Sequence, residues 1–185
     1  MTTAAASART RNASALRNLY FVRFGFAIVW AALMFVIGSS VGPVSATLIV
    51  LYPLFDVAAA IVDARSSGAS GSTRLLYVNI AISTLAAIGM AVGLASGIPA
   101  VLRVWGVWAI VAGIVQLVVA LTRRTMGGQW AMILSGGISV LAGTSFYLQA
   151  ATPGQTLSSV AGYATLGGIF FLVSAIRLGR AAKGN

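Results

Sequence analysis

Residues 44–64, VSATLIVLYPLFDVAAAIVDA, form an apolar run interrupted by Asp56 and Asp63, the only two acidic residues of the chain. A transmembrane helix needs about 20 consecutive, predominantly apolar residues, and this stretch supplies them. An ionisable side chain inside such a helix costs roughly 2.5–3.5 kcal/mol on insertion scales, so it marks a functional candidate. The stretch therefore predicts a membrane-spanning helix with Asp56 as a residue of interest.

Five further stretches have similar length and apolar character, at residues 19–38, 75–95, 100–121, 130–150 and 156–178. Of the 185 residues, 59% are hydrophobic and 8% are charged, whereas a soluble domain has about 25% charged residues. A globular core could not bury this much apolar surface. The sequence therefore predicts an all-α integral membrane protein with six transmembrane helices.

The connections between these stretches alternate in charge. Those at residues 39–43, 96–99 and 151–155 are short and uncharged, whereas residues 63–74 and 122–128 contain arginines. Both ends of the chain are also basic, with Arg9, Arg11 and Arg17 near one end and Arg177, Arg180 and Lys183 near the other. Basic residues collect in cytoplasmic segments. We therefore expect a multi-pass protein of the cell membrane with both termini in the cytoplasm.

The same charge pattern argues against a nucleic-acid partner. The net charge of +10 would suit nucleic acid if the basic residues formed a domain, but here they separate apolar segments. Membrane lipids are the expected partners, and a homo-oligomer or an unidentified membrane protein stays open. We expect residues 1–17 to be a disordered cytoplasmic tail, residues 67–73 a flexible loop and residues 179–185 a second cytoplasmic tail.

The residue types most used in chemistry are scarce. The chain has no cysteine and no histidine, which removes thiolate chemistry, the commonest general base and the commonest nitrogen ligand of metals. The two acids leave little further acid–base chemistry. The sequence therefore predicts no catalytic, cofactor-binding or metal site, no cofactor and no enzymatic activity.

An internal repeat relates the six stretches. A shift of 56 residues aligns Arg23 with Asn79 and Asn79 with Ser135, and it aligns Pro43 with Pro99 in the uncharged turns. The expected units are three tandem helical hairpins, at residues 18–66, 74–124 and 125–178. An even number of spans returns each unit to the same side of the membrane. The hairpins are therefore expected to be parallel repeats about a pseudo-threefold axis along the membrane normal.

Small residues recur within the apolar stretches, often at four-residue spacing. Such spacing lets helix backbones approach closely where lipid gives no hydrophobic drive for association. We expect helix packing at Gly25, Gly89, Gly93, Gly113, Gly137, Gly143 and Gly168.

Polar residues inside the spans are the candidate site. Arg23 lies six residues after Arg17, and Asp56 nine residues before Arg65, which places them roughly 9 and 13 Å from the same side. An Arg23–Asp56 ion pair is therefore expected, either as a structural lock or as a proton or ion site.

Three further polar residues are candidates. Asn79 and Gln116 are expected to form hydrogen bonds between helices. Arg103 is expected either to reach the outer headgroups or to line a pore as an anion contact.

The chain resembles the HdeD-like family of small membrane proteins. The resemblance is carried by RFGFAIVWAALMF (residues 23–35), LYPLFDVAAAIVDAR (51–65), WGVWAIVAGIVQLVVALTRR (105–124), WAMILSGGISVLAG (130–143) and GYATLGGIFFLVSAIRLGR (162–180). Two departures stand out: Phe24 separates Arg23 from Gly25, which the family usually has adjacent, and Asn79 stands where the second unit often has an acid. The family's molecular function is unknown, and the resemblance implies a role in envelope or acid stress.

Two classes of function stay open at the level of sequence. The first is a non-enzymatic membrane protein that acts through protein or lipid interaction under stress. The second is a small transporter or channel with a pathway along the pseudo-threefold axis, which requires polar residues that converge on that axis.

Overall fold

The six apolar stretches form six long helices. In the computed structural model, which describes residues 2–66, 71–126 and 129–181, these are α1 (Thr2–Ile37), α2 (Pro43–Ser66), α3 (Gly71–Gly93), α4 (Ile98–Thr122), α5 (Gln129–Gln149) and α6 (Ser158–Ala181). Short 3-10 turns follow α3 at Leu94–Ser96 and α4 at Arg124–Met126.

All six helices are long and apolar enough to cross a membrane. The segments that meet this condition are Asn12–Ile37, Pro43–Ser66, Thr73–Ser96, Ile98–Thr122, Gln129–Gln149 and Ser158–Arg180. The prediction of an all-helical chain with six such segments is therefore confirmed, with most ends shifted by only a few residues.

The helices pack as a closed ring in chain order. Each helix contacts the next one along the chain, and α6 contacts α1. The contacts α2–α3, α4–α5 and α6–α1 are more extensive than the contacts α1–α2, α3–α4 and α5–α6 within the expected hairpins. One end of the ring, here called the turn end, carries the uncharged connections, and the other, the basic end, carries Arg17, Arg65, Arg123 and Arg180.

Aromatic side chains fill the half of the ring nearer the turn end. Trp30, Tyr52, Trp105 and Trp108 form an aromatic cluster in which the ring centroids of Trp30 and Tyr52 are 4.6 Å apart and those of Trp105 and Trp108 5.5 Å apart. Trp30 Nε1 also donates a hydrogen bond to the carbonyl of Leu48 at 2.7 Å, which ties α1 to α2. The interior at this end is therefore closely packed.

A smaller apolar cluster lies at the basic end. It joins α1, α4, α5 and α6 and contains Leu16, Tyr20, Ala120, Met132, Ala175 and Leu178. The outward faces of the helices are apolar as well, and Val36, Val92 and Leu141 are each at least 70% exposed. An outer surface of this kind suits lipid as a solvent.

The closest helix contact joins α4 and α5 through four glycines. A Cβ atom added at Gly106 would lie 2.6 Å from the carbonyl oxygen of Gly143, and one added at Gly113 would lie 2.9 Å from the carbonyl oxygen of Gly136. The expected packing roles of Gly113 and Gly143 agree with this contact. Gly106 and Gly136 were not expected in it.

The other glycines expected to pack helices differ in whether a neighbouring helix lies against them. Gly89, Gly93 and Gly168 lie against neighbouring side chains or backbone, as expected. The packing roles expected for Gly25 and Gly137 are wrong, because a Cβ atom at either would meet nothing within 4 Å. Spacing alone does not specify which face of a helix a glycine occupies.

The predicted ends of the chain and the 67–73 loop need correction. Helix α1 begins at Thr2 and therefore includes most of the tail expected to be disordered, since its alanines at positions 4, 5, 6 and 8 favour helix. Helix α3 begins at Gly71, so residues 71–73 of the expected loop are helical, and residues 67–70 lie outside the described residues. Helix α6 continues to Ala181, and the rest of the 179–185 tail also lies outside them.

Candidate functional site

A polar cavity of about 120 Å³ lies at the centre of the ring. All six helices contribute to its wall, and both acidic residues of the chain, Asp56 and Asp63, belong to it. A water molecule takes up about 30 Å³ in the liquid, so such a volume admits several water molecules. Polar side chains that the sequence distributes over the whole chain thus meet in one space, here called the central cavity.

Asp56 connects three helices around the central cavity. Its Oδ1 accepts a hydrogen bond from Arg23 Nη2 of α1 at 2.7 Å, and its Oδ2 accepts bonds from Asn79 Nδ2 and Ser83 Oγ of α3, both at 2.8 Å. Ser83 Oγ in turn accepts a bond from Trp108 Nε1 of α4 at 3.0 Å. This Asp56 network therefore joins α1, α2, α3 and α4.

Arg23 has a second interaction, with α6, the other neighbour of α1 in the ring. Its guanidinium carbon lies 4.9 Å from the ring centroid of Phe171 on α6, within the range of a cation–π contact. The side chains of Arg23 and Asp56 remain 15% and 21% exposed, so the ion pair is incompletely covered by protein.

A second ion pair lies nearer the basic end. Arg123 Nη1, at the end of α4, donates to Asp63 Oδ1 at 3.1 Å and to Oδ2 at 3.0 Å on α2. The two side chains are 7% and 12% exposed. The buried residue Gln129, at the start of α5, lies beside them on the cavity wall. Both acids of the chain are therefore paired with arginine, so these four charges of the wall balance.

The α5–α6 side of the cavity is uncharged but polar. Tyr163 Oη donates to Ser139 Oγ at 2.8 Å, and Ser139 Oγ donates to the carbonyl of Ser135 at 2.8 Å. Gln116 Nε2 of α4 donates to the carbonyl of Met132 at 3.1 Å. The cavity thus has charged groups on one side and hydroxyl and amide groups on the other.

Positions related by the 56-residue shift lie together on the wall. Arg23, Asn79 and Ser135 all line the central cavity. Three positions one turn earlier on the same helices, Tyr20, Leu76 and Met132, line it as well. The first helix of each expected hairpin therefore contributes to this one space residues that the 56-residue shift relates.

Apolar residues adjoin the cavity toward both ends of the ring. Tyr52 and Trp108 belong to the cavity wall and to the aromatic cluster, whereas Tyr20 and Met132 belong to the wall and to the smaller apolar cluster. The cavity therefore adjoins apolar clusters toward both ends, while Asp63, Arg123 and Gln129 also line it toward the basic end.

Most of the site residues expected from sequence meet in the cavity. Arg23, Asp56, Asn79 and Gln116 all line it. Arg103 is exposed on α4 and is not part of the wall, so its pore-lining interpretation is wrong. An outward arginine near the turn end is what contact with headgroups requires.

Sequence reasoning missed several members of the site, chiefly Asp63, Arg123, Ser83, Ser139 and Tyr163. One signal could have found Asp63: it lies seven residues after Asp56, and that spacing places both residues on one face of a helix. Ser83 follows Asn79 by four residues, so it shares a face in the same way.

Comparison with known proteins gives no guide to the cavity. No protein-family model matches the chain, and no curated protein or solved structure shows significant similarity to it. The function is therefore inferred from the geometry.

Proposed function

We propose that this chain is a small multi-pass membrane transporter that binds a small polar solute in the central cavity and passes it across the bilayer. One observation carries the proposal. Both acids of the chain and two arginines line a single cavity that is enclosed by six predominantly apolar helices. Ionisable groups at such positions are expensive, and they typically mark the pathway of a substrate or ion.

The chemistry of the wall indicates the kind of solute. Asp56 and Asp63 balance Arg23 and Arg123, so the wall favours neither free cations nor free anions. Its hydroxyls and amides can both donate and accept hydrogen bonds. We therefore propose a neutral or zwitterionic solute of a few non-hydrogen atoms.

The orientation of the protein is part of the proposal. The basic end faces the cytoplasm, since arginines mark it and the turn end has uncharged connections. Both termini then lie in the cytoplasm. The aromatic cluster lies on the external side of the cavity, where it acts as the barrier that has to open during transport.

The three hairpins are proposed to be repeats related by rotation about an axis through the central cavity. The lining positions Arg23, Asn79 and Ser135 support this arrangement, as does the ring of helices that α6 and α1 close. A pathway on a symmetry axis receives equivalent residues from every repeat, which is how a chain with few polar residues can line one space.

Osmotic swelling of proteoliposomes tests the proposal. Purified protein is reconstituted, and entry of glycine, glycerol, potassium chloride and sucrose is followed by stopped-flow light scattering. Glycine or glycerol should enter faster than in protein-free liposomes, whereas sucrose and the salt should not. The proposed solute class is contradicted if neither glycine nor glycerol enters faster than in protein-free liposomes, or if the salt enters faster than glycine.

A second candidate function follows from the hydrogen bonds that the Asp56 carboxylate accepts. Its two oxygens accept three hydrogen bonds from protein donors, as expected of a lock that fixes helix packing. In that case the protein is a non-enzymatic member of the HdeD-like family that acts in envelope or acid stress through protein or lipid contacts. It would then protect cells from acid, while its proteoliposomes admit all four solutes no faster than protein-free liposomes do.

A further inference from the structure

A separate groove lies between α1 and α6 at the basic end. It has a volume of about 190 Å³ and shares no lining residue with the central cavity. Two arginines and apolar or small residues line it: Arg17, Phe21, Ala175, Ile176, Gly179 and Arg180. The groove therefore combines positive charge with apolar surface.

Arg17 lies against the backbone of α6 at Gly179. A Cβ atom added at Gly179 would lie 3.4 Å from both Cδ and Nη1 of Arg17. The Nε atom of Arg17 is shielded from solvent, yet it has no hydrogen-bond acceptor in the described part of the chain. A buried donor without an acceptor is costly, so an acceptor supplied by a ligand would stabilise this arrangement.

The acidic side chains of the protein do not neutralise the groove. The chain has two of them, and Asp56 and Asp63 are paired with Arg23 and Arg123 in the central cavity. Arg17 and Arg180 therefore favour an anion from outside these pairs, and arginine suits phosphate because its planar guanidinium can form two parallel hydrogen bonds.

The apolar residues of the groove indicate where the anion comes from. Phe21 and Ile176 are 42% and 41% exposed and lie about one turn deeper in the helices than Arg17 and Arg180. Charged groups at the end of a span with apolar groups beside them match a phospholipid, whose phosphate lies next to its acyl chains.

We propose that the groove binds the phosphate of an anionic phospholipid, with Arg17 and Arg180 as ligands and Phe21 and Ile176 against the acyl chains. The site lies in the leaflet at the basic end. It is independent of solute transport, because none of its residues lines the central cavity.

Lipid titration of the purified full chain tests this site. Phosphatidylglycerol or phosphatidylcholine is added in detergent, and bound lipid is counted by native mass spectrometry. The parent should bind phosphatidylglycerol in preference to phosphatidylcholine. The double variant Arg17→Gln with Arg180→Gln should bind phosphatidylglycerol about 25-fold more weakly, since each arginine that holds the phosphate contributes about a factor of five.

Two controls make the test specific. The double variant Arg65→Gln with Arg74→Gln changes the net charge equally on exposed residues outside the groove and should bind phosphatidylglycerol like the parent. Arg180 is also exposed, so Arg180→Gln alone should fold normally and weaken binding about fivefold.

Two outcomes would overturn the proposal. Equal loss in both double variants would mean that binding reflects net charge and not this groove. Displacement of phosphatidylglycerol by inorganic phosphate at equal concentration would mean that the groove takes a free anion and that the acyl chains play no part.

Discussion

Arg23 on α1 and Asp56 on α2 form an ion pair with 2.7 Å between Nη2 and Oδ1, and both side chains line the central cavity. The pair lies within two of the six apolar segments. Asn79 and Ser83 donate to the other oxygen of the same carboxylate. Asp56 therefore links α1, α2 and α3 beside the cavity through one carboxylate.

We expect Asp56→Asn to destabilise the protein more than Arg23→Gln. The asparagine leaves Arg23 as a partly buried charge without its partner, and arginine cannot readily lose its proton. In Arg23→Gln, Asp56 keeps two hydrogen-bond donors, Asn79 and Ser83. Loss of one partner of a fully buried pair costs about 3–5 kcal/mol, so the loss should cost less in this partly buried pair, and thermal unfolding in detergent should rank the variants in the stated order.

The double variant Arg23→Gln with Asp56→Asn should recover most of the lost stability, because no charge is left alone. Arg103→Gln is the control, since Arg103 is exposed and outside the cavity, and it should unfold like the parent. If both single variants at Arg23 and Asp56 also unfold like the parent, the pair does not stabilise the fold.

Adjacent glycines on α5 should respond with opposite signs. A Cβ atom at Gly136 would lie 2.8 Å from the carbonyl oxygen of Gly113, whereas one at Gly137 would meet nothing within 4 Å. Gly136→Ala should therefore lower stability by about 1–3 kcal/mol through overpacking. Gly137→Ala should raise it by up to about 1 kcal/mol through helix propensity.

Thermal unfolding of these two variants provides its own matched control, because the same change is made at neighbouring positions of one helix. Equal effects of the two alanines would show that Gly136 does not pack against the backbone of α4.

The six helices were predictable because a contiguous stretch of about 20 apolar residues, between turns or basic residues, indicates each one. The ends were less predictable. The alanine-rich segment before residue 17 has no span-like hydropathy, yet α1 includes it. Helix propensity extends a helix past the part that a membrane can hold, and hydropathy does not detect that extension.

The site was predictable only in part, for a geometric reason. Arg23 and Asp56 are at similar depth on consecutive helices, so their pairing follows from sequence positions. Asp63 and Arg123 are 60 positions apart and belong to helices α2 and α4, which are not consecutive. Their contact depends on how the helices pack in the ring, which no local pattern encodes. Whether Gly136 or Gly137 faces α4 depends on the rotation of α5 about its axis, which no local pattern encodes either.

Single cysteines should label from opposite sides of the membrane at the two ends of the ring. The chain has no cysteine of its own, and both Thr125, at the basic end, and Thr152, at the turn end, are exposed. In intact cells, a membrane-impermeant maleimide should label Thr152→Cys, whereas Thr125→Cys should label only after permeabilisation. Labelling of both in intact cells would refute the proposed orientation.

The most direct test of the proposed pathway fills the central cavity and measures solute entry. Ser135 is 7% exposed and lines the cavity, so Ser135→Leu places a larger apolar side chain in the proposed path. Ser145 lies on the same helix but is exposed and does not line the cavity, so Ser145→Leu is the matched control. Osmotic swelling of proteoliposomes in glycine or glycerol should fall to the rate of protein-free liposomes in Ser135→Leu and stay unchanged in Ser145→Leu. Thermal unfolding curves should show that both variants are folded. Equal swelling of the two variants would contradict a pathway through the central cavity.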